Sequence, residues 1–515
     1  MSSLATLGMT TRSAVDHLPI PSSSEMIPSI NDQRSTINDQ RSTINEKMNY
    51  GKVTPEIIAE LKRAVGDDAV VTDAEELKPF ASDYTEDLVF LPEVAVLPRT
   101  TEQVQAMVRI AHRHSIPLTP RAGGTGLSGG ALPILGGILF SCHRMNRILE
   151  IDRENLVGVV EPGVITQVFQ EEVEKVGLFY PPDPASRGSC TLGGNVAENA
   201  GGPRAVKYGV TKDYVLGAEA VLPDGSLINV GGKLYKDVTG YNLTQLLVGS
   251  EGTLAILTKL YMKLIPWPPH RKVLLAPFDS LEAAAKAVVL VFSKGVQPSA
   301  CELVEKDAVD CAVRQLGKSW PHGEAAAHLL LETDGHSAER VDEEAMLIGE
   351  ACVEAGAEDV LIAEDGPRMT ELWALRRSIG EAVKSINIYK EEDTVVPRNR
   401  VPELIVGVKE IAARHGLMTI CYGHAGDGNI HCNIIKTVDD ATWGSVLPGA
   451  IREIFEHTAR LGGQVSGEHG IGYVQREYMP ITRGATEIAL MKQIKDIFDP
   501  KGILNPMKIF PSDPA

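Results

Sequence analysis

Three histidines and a glutamate in the last hundred or so residues carry the most specific chemistry in the chain. Gly423-His424-Ala425-Gly426-Asp427-Gly428-Asn429-Ile430-His431 is flanked by strand formers at 417–422 and 430–435, and Asp427-Gly428 suits the centre of a type I′ turn. Such a turn predicts a hairpin that sets His424 directly opposite His431, with Cβ atoms about 4.5–5.5 Å apart. A helix would also bring residues seven apart to one face, but Gly423, Gly426 and Gly428 argue against it. Gly467-Glu468-His469-Gly470 adds a carboxylate and a third imidazole. Two neutral histidines and one glutamate form a three-ligand set for Zn²⁺, Mn²⁺ or Fe²⁺, with positions left open for substrate. Adjacent side chains diverge, so of Glu468 and His469 one ligates and the other is free to move a proton.

The second motif follows a stretch, 450–461, whose Ile451, Ile454, Phe455 and Leu461 line one helical face, with Gly462-Gly463 as its stop. The whole chain has 515 residues, room for two or three domains with a large core. Its formal net charge of −18 disfavours nucleic acid and anionic membranes as partners, and an anionic substrate requires locally placed positive charge. The seven cysteines (142, 190, 301, 311, 352, 421 and 432) are scattered, with no C-x-x-C to suggest an iron–sulfur or structural zinc site. They read as reduced thiols of a cytoplasmic protein. No apolar run approaches the roughly 18 residues that would span a bilayer, and the N-terminus has neither a secretory nor a transit pattern.

The first 48 residues are rich in Ser, Thr, Asn and Asp and repeat Asn-Asp-Gln-Arg-Ser-Thr-Ile over 31–37 and 38–44. One apolar residue per heptad makes no coiled-coil seam, so 1–48 is expected to be a disordered tail. Order is expected from near Val53, where Thr54 caps a helix that starts at Pro55 and buries Ile57, Ile58, Leu61 and Val65. A strand at 94–97 leads to Thr100-x-x-Gln103, a capping box for a helix with Val104, Met107, Val108 and Ala111 on one face, and then to a strand at 116–119. This order is α+β or α/β. The segment 215–266 is strand-rich, with a turn at Pro223-Asp224-Gly225 and a long strand within 254–265. Pro266-Trp267-Pro268-Pro269 reads as a linker, which divides the ordered chain into 49–268 and 269–512. Beyond it, 284–292 reads as helix, 329–333 as a buried strand, and 487–498 as a helix whose following residues close over a cofactor.

Gly124-Thr125-Gly126-Leu127-Ser128-Gly129 spells G-x-G-x-x-G after a strand, the start of a Rossmann unit. A Rossmann loop must open a helix, however, and Gly130, Pro133, Gly136 and Gly137 interrupt any helix before the strand at 138–140. Consecutive N–H groups in such a loop still form an anion nest.

Pro120-Arg121-Ala122-Gly123-Gly124-Thr125-Gly126 resembles the diphosphate loop of the vanillyl-alcohol oxidase/PCMH-type FAD family. Pro181-Pro182-Asp183-Pro184, Leu192-Gly193-Gly194-Asn195, Asn199-Ala200-Gly201-Gly202 and Gly249-Ser250-Glu251-Gly252-Thr253 extend the likeness. The G-H-x-G-D-G-N-x-H and G-E-H-G-I-G runs and the closing Gly502-Ile503-Leu504-Asn505-Pro506 resemble the FAD-linked oxidase C-terminal domain. Within the family the chain is similar to glycolate oxidase D-subunits, D-lactate dehydrogenases and D-2-hydroxyglutarate dehydrogenases. The resemblance covers about Val53 to Phe510. It implies an α+β fold: a PCMH-type FAD-binding domain of two α+β subdomains, then an α+β substrate domain. It implies that Arg121, Ala122, Gly123, Gly124, Thr125, Gly126 and Ser128 hold the pyrophosphate. Pro182, Asp183, Gly194, Asn199 and Glu251 are then expected along the flavin or adenosine, with Asn505 reaching the isoalloxazine side. Relatives with covalent flavin carry a histidine in the glycine loop. None is present here, so the FAD is expected to be noncovalent.

The resemblance also matches Trp373-Ala374-Leu375-Arg376 to a substrate carboxylate clamp, a task that suits a guanidinium fork, whereas the residues alone favour a helix-surface ion pair. Arg377 follows, so the clamp is assigned to within one residue. Hydroxyglutarate enzymes add a Thr four residues after the Arg and a Lys near the next strand. Here the first position is Gly380, and Lys390 is one residue out of step, which favours glycolate or D-lactate over D-2-hydroxyglutarate. The resulting reading is a flavin-dependent 2-hydroxy acid dehydrogenase with His424, His431 and Glu468 on the metal, Arg376 on the carboxylate and hydride passing to flavin N5. His469 is the base, because an unperturbed imidazole of pKa about 6.5 takes a proton near neutrality more readily than a carboxylate beside a cation does. Spacing alone leaves the exchange of Glu468 and His469 open. Reoxidation is expected through iron–sulfur or flavin partner subunits or a quinone-linked acceptor, which would make the protein peripheral to a membrane through its partners. The rivals are a metal-dependent hydrolase, against which the FAD loops argue, and a noncatalytic FAD electron-transfer subunit, which has no use for the histidine cluster.

Overall fold

The computed structural model describes residues 49–317, 319–363 and 365–512, so the heptad repeat lies outside the described residues. Helix Pro55–Val65 starts as its residues require: Thr54 Oγ1 accepts from Ile57 N, and Ile57, Leu61 and Val65 are buried. Helix Thr101–Arg113 is capped by Thr100, but Gln103 Oε1 accepts from Arg99 N rather than from Thr100 N, so the reciprocal half of the capping box sits one residue out. These helices pack on a four-stranded sheet ordered Val70–Val71, Val94–Val96, Ile138–Ser141, Leu118–Arg121, whose last three strands are parallel. The strand predicted at 116–119 thus lies two residues later. The chain between 122 and 137 forms no helix, as the glycine and proline pattern requires.

The C-terminal end returns to this same sheet. Leu118 N donates to Ile503 O, Asn505 N donates to Leu118 O, and Ile503 and Leu504 are buried in the sheet's core. The end therefore seals the sheet behind the glycine loop, beyond helix Ala485–Phe498.

A second, antiparallel sheet has the order Ile148–Asp152, Val157–Val160, Ile256–Lys263, Val215–Val221, Leu227–Gly231. Strict alternation of buried and half-buried residues along Ile256–Lys263 confirms the strand predicted from its composition. The strand-rich segment also holds a short helix, Leu243–Leu247. The proline-rich 266–269 is a packed connection rather than a free linker: Ile265–Pro266 pairs with Leu178–Phe179, and Trp267 packs edge-on to Phe179 at 5.1 Å between ring centroids.

The third sheet is antiparallel throughout and positions the histidines. Its order is Leu361–Ala363, His270–Phe278, Ala327–Gly335, Ala300–Glu305, Met418–His424, Asn429–Ile435, Tyr389–Val395. Helices Leu281–Ser293, Ala338–Ala355, Val401–Arg414 and Asp440–Arg460 cover one face, while Lys306–Leu316 and Gly366–Lys384 cover the other. With both faces buried, Leu329-Leu330-Leu331 is a continuous apolar run whose alternate residues enter opposite cores.

Candidate active site

The hairpin exists, in a register two residues from the one its sequence suggests. His424 lies opposite Asn429 and Tyr422 opposite His431, so the loop is the four residues 425–428. A type I′ turn needs positive φ at both central residues, but of these two only Gly428 has it, at +88°. His424 O instead accepts from Asp427 N and Gly428 N, and Asp427 Oδ1 accepts from Asn429 N. A shift of two preserves the face of every side chain. The two rings still meet, edge to face, with centroids 5.4 Å apart.

The same parity gathers the rest of the site. Tyr422 and His424 share a face with Glu302 of Ala300–Glu305 and, across the next strand pair, with His431, Asp393 and Glu391. Helix Gly366–Lys384 lies over that face and contributes Arg376. His424 Nδ1 is 2.7 Å from Glu302 Oε1, and His431 Nδ1 is 3.5 Å from Asp393 Oδ1. With the Nδ1 atoms turned to carboxylates, both Nε2 atoms converge on Glu468 Oε1, at 3.4 Å from His424 and 3.6 Å from His431. A histidine whose second nitrogen faces a carboxylate is the usual arrangement of a metal ligand, so the donors fit a divalent cation.

Asp393 also builds the loop that supplies Glu468. Its Oδ2 accepts from the backbone N of Gly467 at 2.8 Å, Glu468 at 2.7 Å and His469 at 2.9 Å, and from Ser466 Oγ at 3.1 Å. His469 stacks on His431 at 5.2 Å between centroids. Glu468 and His469 do diverge: Glu468 faces the two Nε2 atoms, and His469 lies on the outer face of His431.

Charges in the cluster are strongly coupled. Burial opposes a charge on His424, but Glu302 and Glu468 outweigh it and hold its pKa well above the ordinary imidazole value. Burial likewise opposes charge on Glu468, and His424 overcomes it, drawing the carboxyl down to about 2. Burial and then His469 lower the pKa of His431. His469 departs from the unperturbed imidazole assumed from sequence. Burial would lower it, yet Asp393, Glu391 and Glu468 together raise it.

Arg376 is neither a surface ion pair nor a free clamp. It is 8% exposed, its guanidinium lies 2.6 Å from Glu302 Oε2 and 5.1 Å above the Tyr422 ring, and its Nε has no hydrogen-bond partner among the described residues. Arg377, which also lines the site's cavity, lies 3.7 Å from Asp183 instead. Asp183 sits among Arg187, Arg204 and Arg377, a local concentration of positive charge in an acidic chain.

One cavity of about 480 Å³ joins the glycine loop to this cluster. Arg121, Ala122, Gly123, Gly124, Thr125, Gly126, Asp183, Gly194 and Glu251 line it, as do Arg376, His424, His431, Glu468 and His469. A Cβ on Gly126 would meet no atom within 4 Å, so the loop leaves open space for a ligand against its backbone. Four residues assigned to the cofactor stand one layer back. Ser128 is buried and its carbonyl accepts from Tyr473 N and Val474 N, and Asn505 Nδ2 donates to Gly130 O and Glu251 O. Asn199 caps helix Leu192–Glu198 in the left-handed conformation, and Pro182 O accepts from Gln170 Nε2. They brace the cavity wall through its backbone. Glu302, Asp393, Glu391 and Tyr422 went unrecognised in the sequence. The available signal was a charged residue in an apolar strand, as at Glu302 between Ala300-Cys301 and Leu303-Val304.

Residues 92–231 match the FAD binding domain family, and residues 267–509 match the family of FAD linked oxidases, C-terminal domain. The chain belongs to the FAD-linked oxidases. It is 39% identical to glycolate oxidase subunit GlcD of Bacillus subtilis over 84% of this chain and 92% of that one. It is 37% identical to D-lactate dehydrogenase of Anaerostipes hadrus, over 89% and 98% respectively. D-2-hydroxyglutarate dehydrogenase of Stutzerimonas stutzeri is 35% identical, over 88% and 99%. In fold it matches p-cresol methylhydroxylase with a TM-score of 0.73 at 17% identity, over 89% of this chain and 97% of that one. This FAD-linked oxidase is an oxidoreductase of the glycolate oxidase, D-lactate and D-2-hydroxyglutarate dehydrogenase type, with a PCMH-type FAD-binding domain followed by a C-terminal domain. All seven cysteines are buried free thiols, and no described helix is long and apolar enough to cross a membrane.

Proposed function

We propose that this enzyme oxidises a short D-2-hydroxy acid, glycolate or D-lactate, to the 2-oxo acid, with noncovalent FAD and a divalent metal on His424, His431 and Glu468. The observation that carries the reading is the convergence of two Nε2 atoms on one Glu468 oxygen, beside buried Arg376, in the cavity that the glycine loop opens into. Arg121 to Gly126 and Gly193-Gly194 would hold FAD by backbone, in a domain ending near 268, and FAD when bound supplies the electron acceptor. The metal would supply a Lewis acid for the substrate oxygens. Arg376, tethered by Glu302, binds the carboxylate in a fixed orientation. His469 takes the hydroxyl proton at its ring nitrogen, and the carboxylates that raise its pKa make it a stronger base than an isolated imidazole.

Substrate choice follows from what the site lacks. Gly380 brings no polar side chain, and Lys390 Nζ points to Glu86 at 3.0 Å and is absent from the cavity wall. D-2-hydroxyglutarate, the substrate in the name of one relative, therefore finds neither of the two added contacts. Electrons leave through a partner subunit or quinone-linked acceptor, a reading supported by the subunit in the name of the glycolate oxidase relative and by the lack of any cluster-binding cysteine motif here. The deciding experiment is an anaerobic panel of D- and L-2-hydroxy acids scored by flavin bleaching before and after chelation. Bleaching by glycolate or D-lactate, lost on chelation while the flavin stays bound, is expected. A colourless protein, or full activity without metal, overturns the reading.

A further inference from the structure

One wall of the cavity carries Glu391, a carboxylate that helps raise the pKa of His469 but that the proposed reaction does not bring to the substrate. Glu391 lies in strand Tyr389–Val395 opposite Asn433, two residues from Asp393 and on the same face. Its side chain is 7% exposed and lines the cavity. His431 Nδ1 is 3.7 Å away, and ligand atoms of Glu391, His431 and His469 lie within 4.8 Å of one another. A carboxylate that faces the cavity has a function there through the effect of its charge on whatever the cavity binds.

The polarity of the site says what that function is. Arg376 lies over the Tyr422 ring, and Glu391 lies beside His431, the cross-strand neighbour of Tyr422, so the cavity wall carries one cation for a carboxylate and, on a separate strand, a further anion. A substrate held by its carboxylate at Arg376, with its hydroxyl at His469, shares the cavity with the Glu391 carboxylate. The other cations on the wall have partners of their own: Arg121 donates to Pro79 O and Ser82 O, Arg187 and Arg377 pair with Asp183, and Lys384 lies over the Tyr389 ring at 5.9 Å. We infer that Glu391 determines specificity, its carboxylate repelling a second carboxylate on the substrate and restricting the site to monocarboxylic 2-hydroxy acids. This rests on the 2-hydroxy acid reading above. Discrimination of this kind works by placing like charges together and needs no new attractive contact.

The test compares holoenzyme and Glu391→Gln, with Glu391→Ala as a second variant, on D-lactate and D-2-hydroxyglutarate, and titrates the flavin spectrum with pyruvate and 2-oxoglutarate. Removing the repulsion should raise the ratio of kcat/KM for D-2-hydroxyglutarate to that for D-lactate by roughly 10–100-fold, mostly in KM, and tighten 2-oxoglutarate relative to pyruvate by a similar factor. A merely structural role for Glu391 moves both substrates alike and leaves the two ratios unchanged, which would overturn the inference. So would a second metal ion per chain that disappears in Glu391→Gln, since it would make the carboxylate a ligand. Failure of every 2-hydroxy acid to bleach the wild-type flavin would instead remove the proposed function itself, and the two failures are told apart by the wild-type measurement alone.

Discussion

The two ends of the cavity are built from different materials. Around the glycine loop the wall is largely backbone, and the side chains behind it turn away to bind peptides: Arg121 donates to Ser82 O and Pro79 O, Asn505 to Gly130 O and Glu251 O. Around the hairpin the wall is side chain, and the key groups are tethered to buried carboxylates, His424 and Arg376 to Glu302, His431 and the Glu468 loop to Asp393. A backbone cradle is changed by adding atoms to it. A side-chain site is changed by removing the groups that orient it, and the orienting groups are as consequential as the ligands.

The sharpest separation of the two regions is His469→Ala. Loss of an acid–base group should lower kcat by roughly 10²–10⁴-fold, while FAD and metal contents stay near stoichiometric. Glu468→Ala should instead release the metal and keep the flavin. If His469→Ala strips the metal and Glu468→Ala keeps it, the two roles are exchanged, and the divergence of these neighbours has been assigned the wrong way round.

Asp393→Asn is next in size. One oxygen of Asp393 accepts four hydrogen bonds from the 466–469 loop, and its other faces His431. An amide cannot present acceptors on both sides, so metal affinity should fall by roughly 10–100-fold, as for other groups that orient ligands, with FAD content unchanged. Loss of flavin together with metal would show that the two regions are not independently held.

At the other end the comparison predicts the reverse pattern. Gly126 is free of the positive φ that would strain a side chain, and a Cβ there meets open cavity. Gly126→Ala should fold normally and retain metal, but hold FAD roughly ten-fold more weakly through the loss of one close backbone contact. Unchanged FAD affinity, measured by equilibrium titration of the apoprotein, would move the pyrophosphate away from this residue.

The same contrast explains what the sequence made legible. Glycine spacing excluded the Rossmann helix because backbone conformation is a local property, and His424 and His431 could be paired because their face survives a two-residue error in register. The turn itself was misread, since Asp427-Gly428 fits a two-residue hairpin by composition while the His424 carbonyl closes a longer loop. Glu302 and Asp393 are 91 residues apart in sequence and matter through cross-strand neighbours, which no local pattern encodes. The acidic run 391–393 resembles a solvated face, yet all three side chains are buried, two toward the site and Glu392 away from it.

Glu392 measures what it costs to build with buried carboxylates, and gives the smallest expected effect. Its Oε2 accepts from Gln475 Nε2, while its Oε1 has no partner among the described residues. Burial raises its pKa from 4.5 to about 7, against the opposing influence of Lys390 and Gln475. Between these two values the folded state binds a proton that the unfolded state does not, so Glu392 makes stability fall as pH rises through that window and adds no further slope above about 7. Glu392→Gln removes the proton site and keeps the shape. Its Tm relative to wild type should therefore climb by a few degrees between the lower and upper ends of the window and level off beyond it. A Tm difference that stays constant with pH would mean that Glu392 is charged and fully paired, and that the strand beside the histidines carries its acidic residues without penalty.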